Sequence, residues 1–383
     1  MFGSRALYPV AAGLVLAALV ALAWVRVTLR QPRISRTWQR ESVVERDDVA
    51  VELVLEREPG MPLPSVLARE RVGNLSERNV ELRSRGRGRY TGSYRLQDVP
   101  RGRHCFAPMR LSITDPFGLA EATLALEDRQ PLVVYPRLTE LGRLFFDVGA
   151  GPEHGRRLLL RRPVGFDLHS VRDYQQGESL RRVHWPSTAR RGALMVKELE
   201  DSPRDEIAVL LDGDAAAVAG ESPDSSFDAA VRVAGSILLA QMRLGRRCVL
   251  ILNTAERETL TVSPDGRDWQ RALELLAAAE PDATRPASDL LGSGVSPATR
   301  SVELVVVTSR IEPALVDRLL ERAVTRRAAA LVHVEAASFA GRPYRPEPQL
   351  LRLQVAGMPI AVVRRGDDLA TALGHPAEEA VHA

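Results

Sequence analysis

Cysteine is scarce in this 383-residue chain, with two residues, Cys105 and Cys248, far apart. That excludes a disulfide framework, and the lack of CxxC or paired Cys/His spacing removes a zinc site. Strong charge bias is also absent: 52 Lys+Arg oppose 49 Asp+Glu, giving +3, although the pI is near 9.1. Arginine supplies nearly all of the positive charge. A nucleic-acid binder needs a concentrated basic face, which this balance does not supply. No GxSxG elbow occurs, and no Ser, His and Asp stand at a spacing that converges as a triad, so no catalytic residue is assigned.

One long apolar run is present. "LYPVAAGLVLAALVALAWV", residues 7–25, carries no charge over 19 residues, which at about 1.5 Å per residue nearly spans a bilayer core. We read it as a single-pass transmembrane helix in the cell membrane. Its rival is a cleaved signal peptide, because "ALA" at 21–23 resembles a cleavage site. Arg26, Arg30, Arg33 and Arg36 follow like a stop-transfer flank and predict cytoplasmic soluble domains, with a further span upstream left open. Residues 26–47 then read as a juxtamembrane linker, lying along headgroups or simply solvated.

Period-two patterning begins at Asp48. "DVAVELVLERE", "RYTGSYRL" and "CFAPMRLSIT", separated by Gly/Pro turns, predict a small antiparallel β-sandwich over 48–137. From 204 to 376 the rhythm changes. Apolar runs at 206–212, 248–253, 302–309, 329–335 and 360–365 alternate with helical patterns, clearest at 226–245 and 267–280. Such alternation predicts a doubly wound α/β domain, so the whole chain reads as α+β multidomain.

Ligands of open α/β sheets bind at the carboxyl ends of strands. There the first strand leaves as Asp212, Gly213, Asp214, Ala215, Ala216. Two acids at i and i+2 are hard oxygen donors for Mg²⁺, the one cofactor they would admit, but Mg²⁺ wants six ligands. No hydroxyl follows at Ala216, and the fourth strand's exit offers Thr308 and Ser309 without an aspartate. The competing reading is a structural loop in which Asp212 caps backbone amides.

The densest polar stretch is 155–200, with ten Lys/Arg and five Asp/Glu interleaved. Arg172, Asp173, Tyr174, Gly177, Glu178, Arg181, Trp185, Lys197 and Glu198 are spaced for a clasp of arginine forks, carboxylates and stacked rings between domains, against a plain solvated hairpin. A helical turn starting at Ser187 or Thr188 and ending at Gly192 is expected inside it.

These residues also resemble the bacterial domain of unknown function 58 family. Gly165-Phe166, Arg172-Asp173-Tyr174, Gly177-Glu178, Leu180-Arg181, Trp185, Ala189-Arg190, Gly192, Leu194, Val196 and Lys197-Glu198 follow its signature in order, as do "RGRH" (101–104), "DPFGL" (115–119) and "VVYPR" (133–137) upstream. The resemblance implies a membrane-anchored protein with a small β domain and a von Willebrand factor A-like domain; with the anchor, this domain pattern and no assembled catalytic constellation, we read the chain as a non-enzymatic adaptor. It implies as partners a MoxR-type AAA+ ATPase and a transglutaminase-like membrane protein; the apolar run adds membrane lipid, and the charge balance argues against nucleic acid. The A-like metal motif Asp-x-Ser-x-Ser is degenerate here, since Asp214 and Ala216 replace its serines. A divalent-metal-dependent enzyme or binding protein using Asp212 and Asp214 is the alternative.

Overall fold

The computed structural model describes residues 7–28, 32–38, 42–57, 65–73, 75, 77–127, 129–142, 144–146, 168–173, 185–199, 206–292, 296–325, 327–343 and 346–374. The chain divides into two compact units, 1–137 and 138–383.

The first unit opens with α1 (Leu7–Thr28), long and apolar enough to span a membrane. Most of it is exposed, but Ala21, Val25 and Thr28, spaced to share one face, are buried. Eleven strands follow: β1 (Arg33–Trp38), β2 (Val43–Val44), β3 (Val49–Glu56), β4 (Ser65–Glu70), β5 (Arg78–Glu81), β6 (Arg83–Gly86), β7 (Arg89–Leu96), β8 (Gly102–Cys105), β9 (Met109–Thr114), β10 (Glu121–Leu126) and β11 (Pro131–Tyr135). They form sheets ordered β1-β3-β7-β6, β10-β9-β4-β5 and β2-β11-β8. Among the described residues these strands pair antiparallel, except that β2 joins β11 in parallel. Val49, Val51, Leu53 and Leu55 alternate inward on β3 and meet Val66, Leu111, Ile113 and Phe106 in one core, as the period-two pattern requires.

The linker reading of 26–47 is corrected here. Residues 33–38 pair with β3 over their whole length, and Val43–Val44 pair with β11. The polar sequence misleads because Arg36 points inward. Its guanidinium meets the carboxylate of Glu70, both side chains fully buried, and lies 5.0 Å above the Phe106 ring, on which Trp38 also stacks. Tyr94 donates its hydroxyl to the same carboxylate; burial first, then Glu70, push the phenol's pKa well up.

The second unit holds β12 (Leu168–Asp173), α2 (Trp185–Arg191) and β13 (Met195–Leu199), the strands pairing antiparallel. There follow β14 (Glu206–Asp212), α3 (Ser226–Arg243), β15 (Arg247–Asn253), β16 (Thr259–Val262), α4 (Trp269–Ala278), α5 (Ser288–Gly292), α6 (Pro297–Arg300), β17 (Glu303–Thr308), α7 (Pro313–Val324), β18 (Ala328–Val334), α8 (Ala336–Phe339), α9 (Pro348–Val355), β19 (Ile360–Val363) and α10 (Leu369–Gly374). One sheet runs β16-β15-β14-β17-β18-β19, parallel except for the β16 edge.

Both faces of this sheet are covered. Ile207, Val209 and Leu211 face the core made with α3 and α4, while Ala208 and Leu210 face the one made with α7 and α9. Strands apolar on both faces lose the polar alternation, which is why these segments read as continuous apolar runs. Ser225 and Asp228 form a capping box that starts α3. Cys248 is buried on β15, where burial pushes its thiol up to about 12; Cys105 is exposed on β8 and both thiols are free.

Candidate functional site

The strand order reverses around β14, which has β15 on one side and β17 on the other. The chain leaves β14 toward α3 on one face and β17 toward α7 on the other, opening a crevice at the strands' carboxyl ends. Asp212 ends β14 there.

Asp212 is nearly buried. Its Oδ1 accepts from Asn253 Nδ2 at 2.8 Å and its Oδ2 from the Thr308 hydroxyl at 2.8 Å. Asn253 ends β15 and Thr308 ends β17, so three adjacent strands each contribute one group. The carboxyl's pKa lies above its ordinary value. Burial raises it, the two hydrogen bonds pull it back, and the charges of Asp214 and Glu312 raise it again.

Gly213 separates the acids because nothing larger fits: a Cβ there would stand 2.8 Å from the carbonyl oxygen of Asn253. Asp214 then turns outward. Its Oδ1 accepts the Ala216 amide at 2.9 Å, and its Oδ2 takes Nη1 of Arg310 at 3.0 Å. Arg310 Nε also lies 3.4 Å from Glu312, and the Asp214 hydrogen bond and charge raise the guanidinium's pKa further.

The amide-capping role expected of Asp212 therefore belongs to Asp214, because Asp212 is engaged by side chains from its neighbours. Thr308 is where the strand pattern put it and closes on Asp212. Asn253, Arg310 and Glu312 were missed; a lone Asn ending the apolar run "CVLILN" was the available signal. The crevice lined by Asp212, Asp214, Pro286, Ala287, Arg310, Glu312 and Leu315 has about 10 Å³ of free room, enough for one water.

A divalent cation does not fit this donor set as it stands. Both Asp212 oxygens hold donors, Asp214 already faces a guanidinium, and among the described residues no group of three His, Cys, Asp or Glu converges on a point.

His333, opposite Thr308 in the β17/β18 register, has a buried Nδ1 without a hydrogen-bond partner. Burial pushes its pKa from 6.5 down to about 4, with a hydrogen bond to the Thr308 backbone opposing. The unfolded chain takes this proton near pH 6.5 and the folded chain only near 4. Stability is therefore complete above 6.5 and falls between 6.5 and 4, by up to about 3 kcal/mol. Asp212, with its raised pKa, works in the opposite sense and trims the loss. His333→Val should flatten this acid limb in urea unfolding at pH 7 and pH 4.5; an unchanged difference would show that another group controls it.

Of the polar stretch, Arg172 and Asp173 lie on β12, Lys197 and Glu198 on β13, and Trp185 begins α2. Arg172 pairs with Val196 and Asp173 with Met195 in the antiparallel register of the two strands. The expected helical turn is α2, starting at Trp185 and stopped by Gly192 at φ +71°. Gly165, Phe166, Tyr174, Gly177, Glu178, Leu180 and Arg181 lie outside the described residues.

A family model, protein of unknown function DUF58, matches residues 170–337. The DUF58 match begins in β12 and ends in α8, so it takes in the β12/β13 pair and every polar member of the Asp212 site. The uncharacterized protein YeaD of Bacillus subtilis (strain 168) is 29% identical over 229 residues, covering 58% of this chain. The chain thus spans about half (54%) of that relative. Among solved structures, a late embryogenesis abundant protein matches 34% of this chain and 88% of its own at 7% identity and a TM-score of 0.21. Cwp6 from Clostridium difficile matches 86% and 49% at 10% identity and a TM-score of 0.18. Likeness this slight bears on neither fold nor function.

Proposed function

We propose that the chain is a membrane-tethered, non-enzymatic adaptor. Its second unit is a doubly wound, von Willebrand factor A-like domain that docks a protein partner, a MoxR-type AAA+ ATPase or its client, at the carboxyl edge of the sheet. The strand order β16-β15-β14-β17-β18-β19 with helices on both faces supports the domain reading, and α1 supports the tether. A transglutaminase-like membrane protein is a further partner of the same class.

One observation carries the docking reading. The acids at the edge are satisfied from within, by Asn253, Thr308 and Arg310, around a space of about 10 Å³. Among the described residues, such an edge offers a fixed pattern of charge to a protein surface and little room to a small substrate.

The test is capture of a purified MoxR-type ATPase by the full chain in detergent, with and without ATP and Mg²⁺. Arg310→Glu should weaken capture at least about tenfold, equivalent to about 1.4 kcal/mol. Absence of capture by the unaltered chain in every nucleotide state would end the adaptor reading. A Mg²⁺ titration of the full chain that gives heat lost in Asp214→Ala would favour the metal-dependent alternative.

A further inference from the structure

The turn between β9 and β10, Asp115–Ala120, carries two apolar side chains that the sandwich does not use: Phe117 is 82% exposed and Leu119 58%. The turn is firmly built. Asp115 accepts the amides of Phe117 at 2.9 Å and Ala120 at 2.6 Å, and Gly118 takes φ +69°. Scattered exposed apolar residues are ordinary, so exposure alone decides nothing. Position decides it, because Ala120 packs against Ala21 and Val25 of α1, with Trp24 and Ala122 beside them.

Those helix residues are the last of the uncharged run, which ends before Arg26. At about 1.5 Å per residue, Ala21 to Val25 is the final ~6 Å of a span, the layer in which interfacial side chains lie. A second feature stands at the same end of the helix. Arg57 Nη1 reaches the Thr28 carbonyl oxygen at 3.5 Å, and the Arg57 amide donates to Gly88 in the β6–β7 hairpin, whose tip bears Arg85, Arg87 and Arg89. These arginines, with Glu56, Arg57, Gly86 and Gly88, line one open concavity. Apolar groups thus sit beside the end of the span, with guanidinium groups near its exit, the order in which a bilayer presents acyl chains and phosphates.

We propose that this end of the first unit is a second membrane contact: the β9–β10 turn inserts Phe117 and Leu119 into the interfacial layer, and the Arg85–Arg87–Arg89 hairpin binds anionic lipid headgroups. The occupant is the bilayer that holds α1, so the inference rests on α1 being embedded. The contact fixes the tilt of the sandwich on the membrane, where a lone helix would leave it free to swing.

The test uses the full chain in lipid nanodiscs, with Cys105→Ser and Cys248→Ala as background and single spin labels at Phe117→Cys, Leu119→Cys, Leu14→Cys and Glu127→Cys. Glu127 follows the far end of β10, about 20 Å along the strand from the turn. Labels at 117 and 119 should collide with a water-soluble nickel complex several-fold less often than the label at 127, and with oxygen more often. In discs containing phosphatidylglycerol the label at 117 should sink deeper than in phosphatidylcholine alone, and Arg85→Ser/Arg87→Ser/Arg89→Ser should abolish that difference. A lipid signal at 14 with an aqueous signal at 117 and 119 overturns the insertion while leaving the helix reading intact. An aqueous signal at 14 overturns both. Equal depth in the two lipids overturns the headgroup assignment.

Discussion

Arg36→Ala should destabilise the first unit by about 3–5 kcal/mol, the cost of leaving a buried charge without its partner. Among the described residues, Glu70 would keep the Tyr94 hydroxyl, with Arg78 opposite it in the β4/β5 register, in a core where both ion-pair side chains are fully buried. The lost guanidinium also faces Phe106, so packing goes with charge. Because Trp38 stacks on Phe106 at 5.7 Å, its fluorescence should report the change directly in urea unfolding of the detergent-solubilised chain. The double variant Arg36→Met/Glu70→Gln separates the causes. Its side-chain amide would still accept from Tyr94 with no charge left buried, so the double variant should recover at least half of the loss. A double variant as unstable as Arg36→Ala would mean that packing, and not the orphaned carboxylate, dominates.

A loss of similar size is expected in the second unit from Arg322→Ala. Arg322, near the end of α7, is buried with no acid beside it among the described residues. Its Nη1 donates to the Ala298 carbonyl at 2.8 Å, its Nη2 to the Ser301 carbonyl and to the Ser301 hydroxyl at 3.2 Å, and its Nε to the Ala328 carbonyl at 3.3 Å. Burial, and then the charge of Arg327, hold its pKa down to about 10, so it remains charged at neutral pH. Truncation would take a charged donor from three carbonyls at once, of which that of Ala298 keeps the Ser301 hydroxyl at 3.2 Å, and open a cavity, costing about 3–4 kcal/mol. Arg322→Lys, one point donor in place of a fork, should keep less than half of the stability difference. These carbonyls lie where the chain enters β17 and β18, at the opposite end of the strands from Asp212. Far-ultraviolet circular dichroism should therefore show an earlier unfolding midpoint, while capture of the partner below that midpoint stays unchanged.

How far such features were legible in the sequence follows from the range of the interactions that make them. The alternation Val49, Val51, Leu53, Leu55 and the apolar runs of the parallel sheet are local signals, and each marks a strand now seen in a core. Strand β1 was not legible, because Arg36 reads as surface until Glu70 is brought to it across 34 positions. The candidate site divides in the same way. Asp212 and Asp214 could be found from their place after the first strand of an alternating pattern. Their partners stand 41 and 96 positions away, at the ends of strands whose neighbours only the sheet order reveals. The role of Arg310 was the least legible part, since a basic residue in a loop usually means solvent.

The parallel pairing of β2 with β11 bears on how the chain carries load. Val43 and Val44 lie beside Val134 and Tyr135, the Glu45 amide donates to the Tyr135 carbonyl at 2.8 Å, and Arg137 returns to Glu45 and Asp47. Tension between the helix and the second unit would enter at the amino end of β2 and leave at the carboxyl end of β11. Two parallel strands drawn from opposite ends are sheared, so their hydrogen bonds must fail together and not one after another. Even with β1 peeled away, this short splice would shunt force past the sandwich, whose remaining strands lie in the closed loop between the two grips.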